Sequence, residues 1–473
     1  MERVPAILLN TASFRALGNR LLIAGLAGSL ALVLALVWFA PAAIWFVPAA
    51  LIAVVGFAAV WHNPIGRFTA LLVGFVALTD YVAGIQVGEV AYGLFFLLYL
   101  GHWAYTALFI DHRSLVRSGA DAGVLGLLLL VVAYVPLALV FGGNMPAITG
   151  ELSAFVLFAI YFPVKDALTR YRVAPWIVLG SVLFIGIFVS IRNFFEYKDL
   201  LLHATHAWQV AKGRVVTNDN ILMVVCLFAL TIFSFTKPIL YRAGLLGVFF
   251  MFFAALILTQ SRGYWVAFLL GAGILFLLLG WTQKRRLLVL GFWGAAIGTV
   301  LALLFFSEEV AVVVAGLLDR FLSLKTAATA DISLVNRFRE TAAVWQKIRV
   351  NPILGYGMGV PYPFFDLAHM ATEHDAFVHN GYIGLWYKYG LLGLGLILGV
   401  WILSIRRGIQ AYRASLASMA TRLCGLASAV TLSAFMLTTI TSNPFYLNDT
   451  LFIFGFLLGV AQGAYERTRL GTE

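Results

Sequence analysis

Glu373-His374-Asp375-Ala376-Phe377-Val378-His379-Asn380-Gly381-Tyr382 closes a water-facing segment, roughly Ser307 to Asn380, that separates two long apolar runs. On both sides of it the chain reads as membrane helix. Of its residues 62% are hydrophobic and 11% charged, with a mean hydropathy of +0.95. The apolar residues fall in blocks of about 17 to 22, the length that crosses a hydrocarbon core of ~30 Å. The expected fold is an all-α polytopic membrane protein, and the segment 307–380 is where chemistry is expected.

About fourteen transmembrane helices are predicted, at roughly 21–40, 43–61, 69–86, 89–110, 123–142, 151–164, 174–191, 220–236, 243–260, 263–281, 287–306, 381–404, 422–441 and 449–465. Charge orients them. With a cytoplasmic N-terminus, 20 of the 32 Lys and Arg fall on inside connections, and the short outside connections near 41, 87, 146 and 445 hold none. That bias predicts two cytoplasmic termini and puts the long loop, between spans 11 and 12, outside. The net charge of +11 is thus read as membrane topology, not as a nucleic-acid surface. Cys226 and Cys424 lie in apolar runs and are expected to be small buried side chains. No cleavable signal is expected, because the first apolar run is of full spanning length and another follows at once.

The exceptions to the charge bias locate a site. Apart from Lys388, which lies within a span, the outer basic residues occur in three places: the connection 192–219, the tight turn at Arg262, and the loop 307–380. Arg192 is expected at the outer mouth of the seventh span, followed by a short amphipathic helix, Tyr197 to Val210, on whose polar side His203 and His206 are solvated. Leu258-Thr259-Gln260-Ser261-Arg262-Gly263 joins two spans with almost no loop. Arg262 is thereby held near membrane depth, where a guanidinium snorkels or meets an anion, and its planar fork matches phosphate oxygens.

Within the long loop, Asn336 to Val350 reads as an amphipathic helix with Phe338, Ala342, Trp345 and Ile348 on its apolar face, stopped by Asn351-Pro352. Ile353-Leu354-Gly355-Tyr356-Gly357-Met358-Gly359 follows; with no strand before it, it reads as a flexible turn, a hinge, or a close backbone approach to a ligand. His369, His374 and His379 recur every five residues, a spacing that does not stack on one helical face, so no metal site is expected. His379 starts the twelfth span on the same surface as Arg192 and Arg262, and a neutral imidazole is well suited to take a proton from a hydroxyl. Lys388 is an intramembrane cation, with Asp80 as its guessed partner by opposite charge.

Taken in order, Ser261-Arg262-Gly263, Arg337-Phe338-Arg339-Glu340 through Trp345 to Asn351-Pro352-Ile353-Leu354-Gly355-Tyr356-Gly357, His379-Asn380-Gly381-Tyr382-Ile383 and Gly390-Leu391-Leu392-Gly393 resemble the O-antigen ligase and Wzy-type polymerase superfamily. The likeness covers about 243–405, leaving 1–242 as an N-terminal transmembrane bundle and 406–473 as C-terminal transmembrane helices. One departure is Lys388, where the family often carries an acid. The resemblance implies a GT-C-like, metal-independent, inverting glycosyltransferase on the periplasmic face of the bacterial inner membrane, with no cofactor. Its donor would be an undecaprenyl-diphosphate-linked glycan and its acceptor a lipid-A core or another glycan. His379 would be the general base, and Arg262 and Arg192 would hold the diphosphate. Arg337, Arg339, Tyr356 and Asn380 are candidates for an acceptor groove.

A lipid diphosphate is already an activated leaving group. Orienting the acceptor, removing one proton and stabilising charge on the departing phosphate are then enough for rate. A ligase and a polymerase share that chemistry and differ in the acceptor. A transporter or flippase would instead show internal repeats, discontinuous helices at the midplane and deep ionisable residues.

Overall fold

A computed structural model describes residues 60–79, 86–203, 218–305, 332–367 and 369–471. The chain divides into two units between Arg67 and Phe68, and nearly all of the described residues belong to the second. The helices are α1 (Pro64–Val73, running into a 3-10 turn to Leu78), α2 (Val87–Tyr105), α3 (Gly119–Val140), α4 (Met145–Phe158), α5 (Tyr161–Arg170), α6 (Ala174–His203), α7 (Asp219–Phe235), α8 (Ile239–Leu258), α9 (Arg262–Leu278), α10 (Trp281–Phe305), α11 (Ile332–Val350), α12 (Gly381–Arg413), α13 (Met419–Thr441) and α14 (Asn448–Leu470).

Most of the spans expected beyond residue 69 overlap one of these helices; 151–164 straddles α4 and α5, and 69–86 is described only as far as residue 79. Among the described residues, seven helical stretches are long and apolar enough to cross a membrane, and three further apolar helices are shorter. The first predicted span and nearly all of the second lie outside the described residues. Two expectations change in detail. The long loop, expected to be mainly helical, also holds strands: β1 (Tyr362–Asp366) and β2 (Ala371–Asp375) form an antiparallel hairpin with Tyr362 opposite Asp375. And α6 runs on through Arg192 to His203 as one 30-residue helix, so the start of the expected amphipathic helix is a continuation of α6; residues 204–217, with His206, lie outside the described range.

Burial sorts the helices. The outward face of α2 exposes Val90, Leu94, Leu97 and Leu98, as a lipid-facing helix should, whereas α13 and α14 are enclosed by protein. Enclosure lets α14 carry Asp449, Gln462 and Arg467, all buried. Its glycines show how the neighbours get so close: a Cβ on Gly455, Gly459 or Gly463 would lie 2.5, 2.7 or 2.9 Å from the carbonyl oxygens of Phe158, Tyr161 and Lys165. Small residues at a four-residue interval let backbones approach, which is how helices associate where hydrophobicity cannot drive them together.

The central irregularity is in α12, which breaks at Gly390 (φ 63°, ψ −169°). A break leaves backbone groups without intrahelical partners, and inside a membrane bundle they must be satisfied. The glycine-spaced loop segment does this. Tyr356 N–H donates to the Tyr387 carbonyl at 2.9 Å, Gly357 N–H to the Lys388 carbonyl at 2.8 Å, and Leu391 N–H to the Pro352 carbonyl at 3.0 Å. The fit tolerates no side chain, since a Cβ on Gly355 would lie 2.6 Å from Gly390 N and one on Gly357 2.6 Å from Ala138 Cα. The segment is therefore a close backbone approach, but to the protein's own helices.

Lys388 also finds a partner other than the one guessed. Its Nζ lies 2.8 Å from Glu151 Oε2 on α4, and Glu151 Oε1 accepts Gly359 N–H at 3.0 Å; Asp80 lies outside the described residues. A buried cation is tolerable only when paired, and this pair ties the loop to two helices. Gly390→Ala would place a Cβ 1.9 Å from the Ile353 carbonyl oxygen in a positive-φ conformation. It is expected to destabilise by at least ~1–3 kcal/mol, read as a lower melting temperature and less monodisperse protein.

Candidate active site

On α11 the positions Arg337, Glu340, Val344 and Ile348 share one stripe, being three and four residues apart. Glu340, Val344 and Ile348 are buried, while Phe338 and Trp345 are exposed. The expected apolar face is thus rotated, and a carboxylate sits within the buried stripe. Trp345 packs edge-on against Trp386 at 5.3 Å.

That carboxylate receives both donors of one residue. His379 backbone N–H reaches Glu340 Oε1 at 2.5 Å, and the imidazole Nδ1 lies 2.6 Å from Oε2. An ionised carboxylate only accepts, so Nδ1 is the donor in this contact, and in the neutral ring the lone pair is then on Nε2. The Glu340 side chain is 4% exposed and that of His379 39%. The anchor is inside the protein and the imidazole is accessible.

Further contacts fix the ring. Phe377 meets it edge-on at 4.8 Å. Asn443 Nδ2 donates to the Val378 carbonyl at 2.8 Å. Tyr362 Oη donates to the Phe377 carbonyl at 2.5 Å; burial, and after it the charges of Glu340 and Asp375, push this phenol above its usual range, so it remains a donor.

The arginines reach the same region through shared partners. Arg337 Nη1 donates to the Thr441 carbonyl at 2.7 Å, and a Cβ on Gly263, next to Arg262, would lie 3.1 Å from Thr441 Oγ1. Thr441 ends α13, two residues before Asn443. Ser261 Oγ donates to Asp219 Oδ2 at 2.7 Å. The neighbouring Asn218 donates to the Thr79 carbonyl at 3.2 Å, and Arg192 Nη1 donates to Thr79 Oγ1 at 3.1 Å. Contacts thus link Arg192, the turn Ser261–Gly263 that carries Arg262, and Arg337 to the end of α13, beside the residues that hold His379. Arg192 Nε pairs with Glu196 at 3.3 Å, while its buried Nη2 has no hydrogen-bond partner among the described residues. Positive charge and an open imidazole at one end of the bundle suit an anionic leaving group and a proton-bearing nucleophile.

The remaining candidates separate. Asn380 caps α12 by accepting Ile383 N–H at 3.1 Å. Tyr356 donates its hydroxyl to the Lys347 carbonyl at 2.9 Å and packs on Phe141 and Tyr387. Both spend their polar atoms on the fold. Arg339 is exposed, its guanidinium 5.9 Å from the Phe365 ring centroid. Asp366, His369 and Glu373 place one potential metal-ligand atom each within 4.8 Å of one another, with His369 Nδ1 2.5 Å from Glu373; His374 and His379 stand outside this trio.

Glu340 is the residue at this site that sequence reasoning passed over. Its signal was an acid three residues from Arg337 on a helix facing the membrane domain. Because Asn380 caps a helix, Asn380→Ala should cost about 1 kcal/mol, seen as a modestly lower melting temperature without collapse of the fold.

Comparison with known proteins bears on the same residues. No curated protein matches the chain. Residues 246–398 match the family model Wzy_C, described as O-antigen ligase, a segment that contains Arg262, Arg337, Glu340, His379 and the Gly390 break. The similarity to O-antigen ligases is carried by this segment.

Proposed function

We propose that the protein transfers a glycan from undecaprenyl diphosphate to an acceptor hydroxyl at the periplasmic face of the inner membrane, as an O-antigen ligase-like enzyme acting on a lipid-A core or another final acceptor. The family match supports ligase- or polymerase-type function. The observation that carries the finer reading is the half-exposed imidazole of His379, held by buried Glu340 through Nδ1.

In this reading the acceptor O–H gives its proton to His379 Nε2 while its oxygen attacks the anomeric carbon. The bond from that carbon to the diphosphate oxygen breaks with inversion, and the electron pair leaves with undecaprenyl diphosphate. Arg262 and Arg192 meet the growing phosphate charge, and Arg337, on the Thr441 carbonyl beside them, adds to the same field. Glu340 stabilises the imidazolium formed after proton transfer, as a carboxylate behind a histidine base does elsewhere. The chemistry is metal-independent, and EDTA is expected to leave the rate unchanged.

A polymerase, taking a second carrier-linked glycan as acceptor, remains the alternative, because its catalytic groups would be the same. A transporter would show discontinuous helices and deep charges, and both are present at Gly390 and Lys388. Against it, the gap in α12 is filled by Pro352–Gly357 and the charge is paired with Glu151.

The purified protein, given a prenyl-diphosphate-linked oligosaccharide in EDTA, is expected to label a lipid-A core acceptor. Lengthening on the carrier instead would establish the polymerase, and an untouched donor with both acceptors would reject glycosyl transfer. Arg262→Lys is expected to lose at least ~10²-fold in turnover, since a point charge does not replace a fork. Glu340→Gln is expected to lose about 10²-fold with protein yield retained.

A further inference from the structure

At the other end of α8 lies a groove of about 750 Å³ that the proposed chemistry does not use. One wall is a single face of α8: Ile239, Arg242, Leu246, Phe250 and Phe253, at helical spacing. α10 closes the other side with Arg286, Val289 and Leu290, and Phe233 of α7 contributes at the mouth. From Ile239 to Phe253 the groove follows α8 for about 21 Å at 1.5 Å per residue, more than the ~15 Å half-thickness of a hydrocarbon core. Arg242 lies ~24 Å from the far end of the same helix, so the arginines open at the end opposite the turn that carries Arg262.

Charge identifies what would fill it. Arg286 Nη1 donates to the Ser234 carbonyl at 3.1 Å, and the Arg242 guanidinium lies 5.8 Å from the Phe233 ring centroid. Arg242 Nε is buried and makes no hydrogen bond, and among the described residues neither arginine is in an ion pair. Lys237, Lys284 and Arg285 stand near the same mouth in sequence, and no Asp or Glu occurs between Asn220 and Ser307. A long apolar slot ending in two guanidiniums fits an acyl chain joined to a phosphate, because the forks match phosphate oxygens and the chain replaces lipid-exposed surface.

We propose that this groove binds an anionic glycerophospholipid from the leaflet opposite the candidate active site, with its phosphate between Arg242 and Arg286 and an acyl chain along α8. The site is separate from the one for the glycan donor.

The test uses the full-length protein, delipidated in detergent and given phosphatidylcholine or phosphatidylglycerol. Phosphatidylglycerol is expected to be retained in native mass spectra and to raise the melting temperature more than phosphatidylcholine does. In Arg242→Gln/Arg286→Gln its retention should fall roughly tenfold, as expected when charge-assisted hydrogen bonds are lost, while Arg285→Gln, at an exposed position outside the lining, should leave it unchanged. If the double variant does not fold, Gly247→Leu decides. A Cβ there meets nothing within 4 Å, so the side chain fills the groove, and retention of the lipid should fall with the lipid-free melting temperature kept. Equal retention of both lipids by the wild type, full retention by the folded variants, or an effect of prenyl diphosphate alone would overturn the proposal.

Discussion

The backbone hydrogen bonds between Pro352–Gly357 and the break in α12 are the constraint on which the rest of the site depends. Where α12 is interrupted, the carbonyls of Tyr387 and Lys388 lose their helical donors, in surroundings where a bare carbonyl costs several kcal/mol. Only a segment with no Cβ at two places can come close enough to supply N–H groups, hence Gly355 and Gly357. Once that segment is seated, α11 directly before it is drawn against the membrane bundle. Glu340 then meets the residue that begins α12. A feature far from His379 in function thus fixes the geometry around it.

Charges obey the same rule of being satisfied or exposed. Glu151 neutralises Lys388 and receives a loop N–H; Asp121 accepts from both Lys165 and Tyr161, each buried. Glu340, buried too, is served by the backbone and ring of His379. At the candidate active site Arg192 is paired with Glu196 through Nε, yet the far side of its guanidinium is left unserved: its buried Nη2 has no hydrogen-bond partner among the described residues. Such a group has a cost that a bound anion would remove.

Much of this was legible in the sequence, for physical reasons that also explain what was not. Apolar block length marked most of the membrane helices beyond residue 69, and Asn351-Pro352 marked the end of α11 because a residue before proline leaves the helical region. The rotation of α11 was hidden: Phe338 and Trp345 have the spacing of a buried face, while Glu340 reads as solvated until its partner, 39 residues on, is known. The hairpin was hidden because Ala371-Thr372-Glu373-His374-Asp375 has no apolar alternation and pairs at the surface. Glycine spacing at 355, 357 and 359 announced a close approach, but its partner depended on a break in another helix. The repeat Gly455, Gly459, Gly463 was in plain view in α14, and it marks the helix that others pack around.

The central claim is that His379 acts as the proton acceptor in glycosyl transfer, held by Glu340. Its most direct test is single-turnover transfer by purified His379→Ala, with saturating donor and acceptor and wild-type folding checked by melting temperature. A loss of at least ~10²-fold in the transfer step is expected, with donor binding intact. Transfer at near the wild-type rate would contradict the claim.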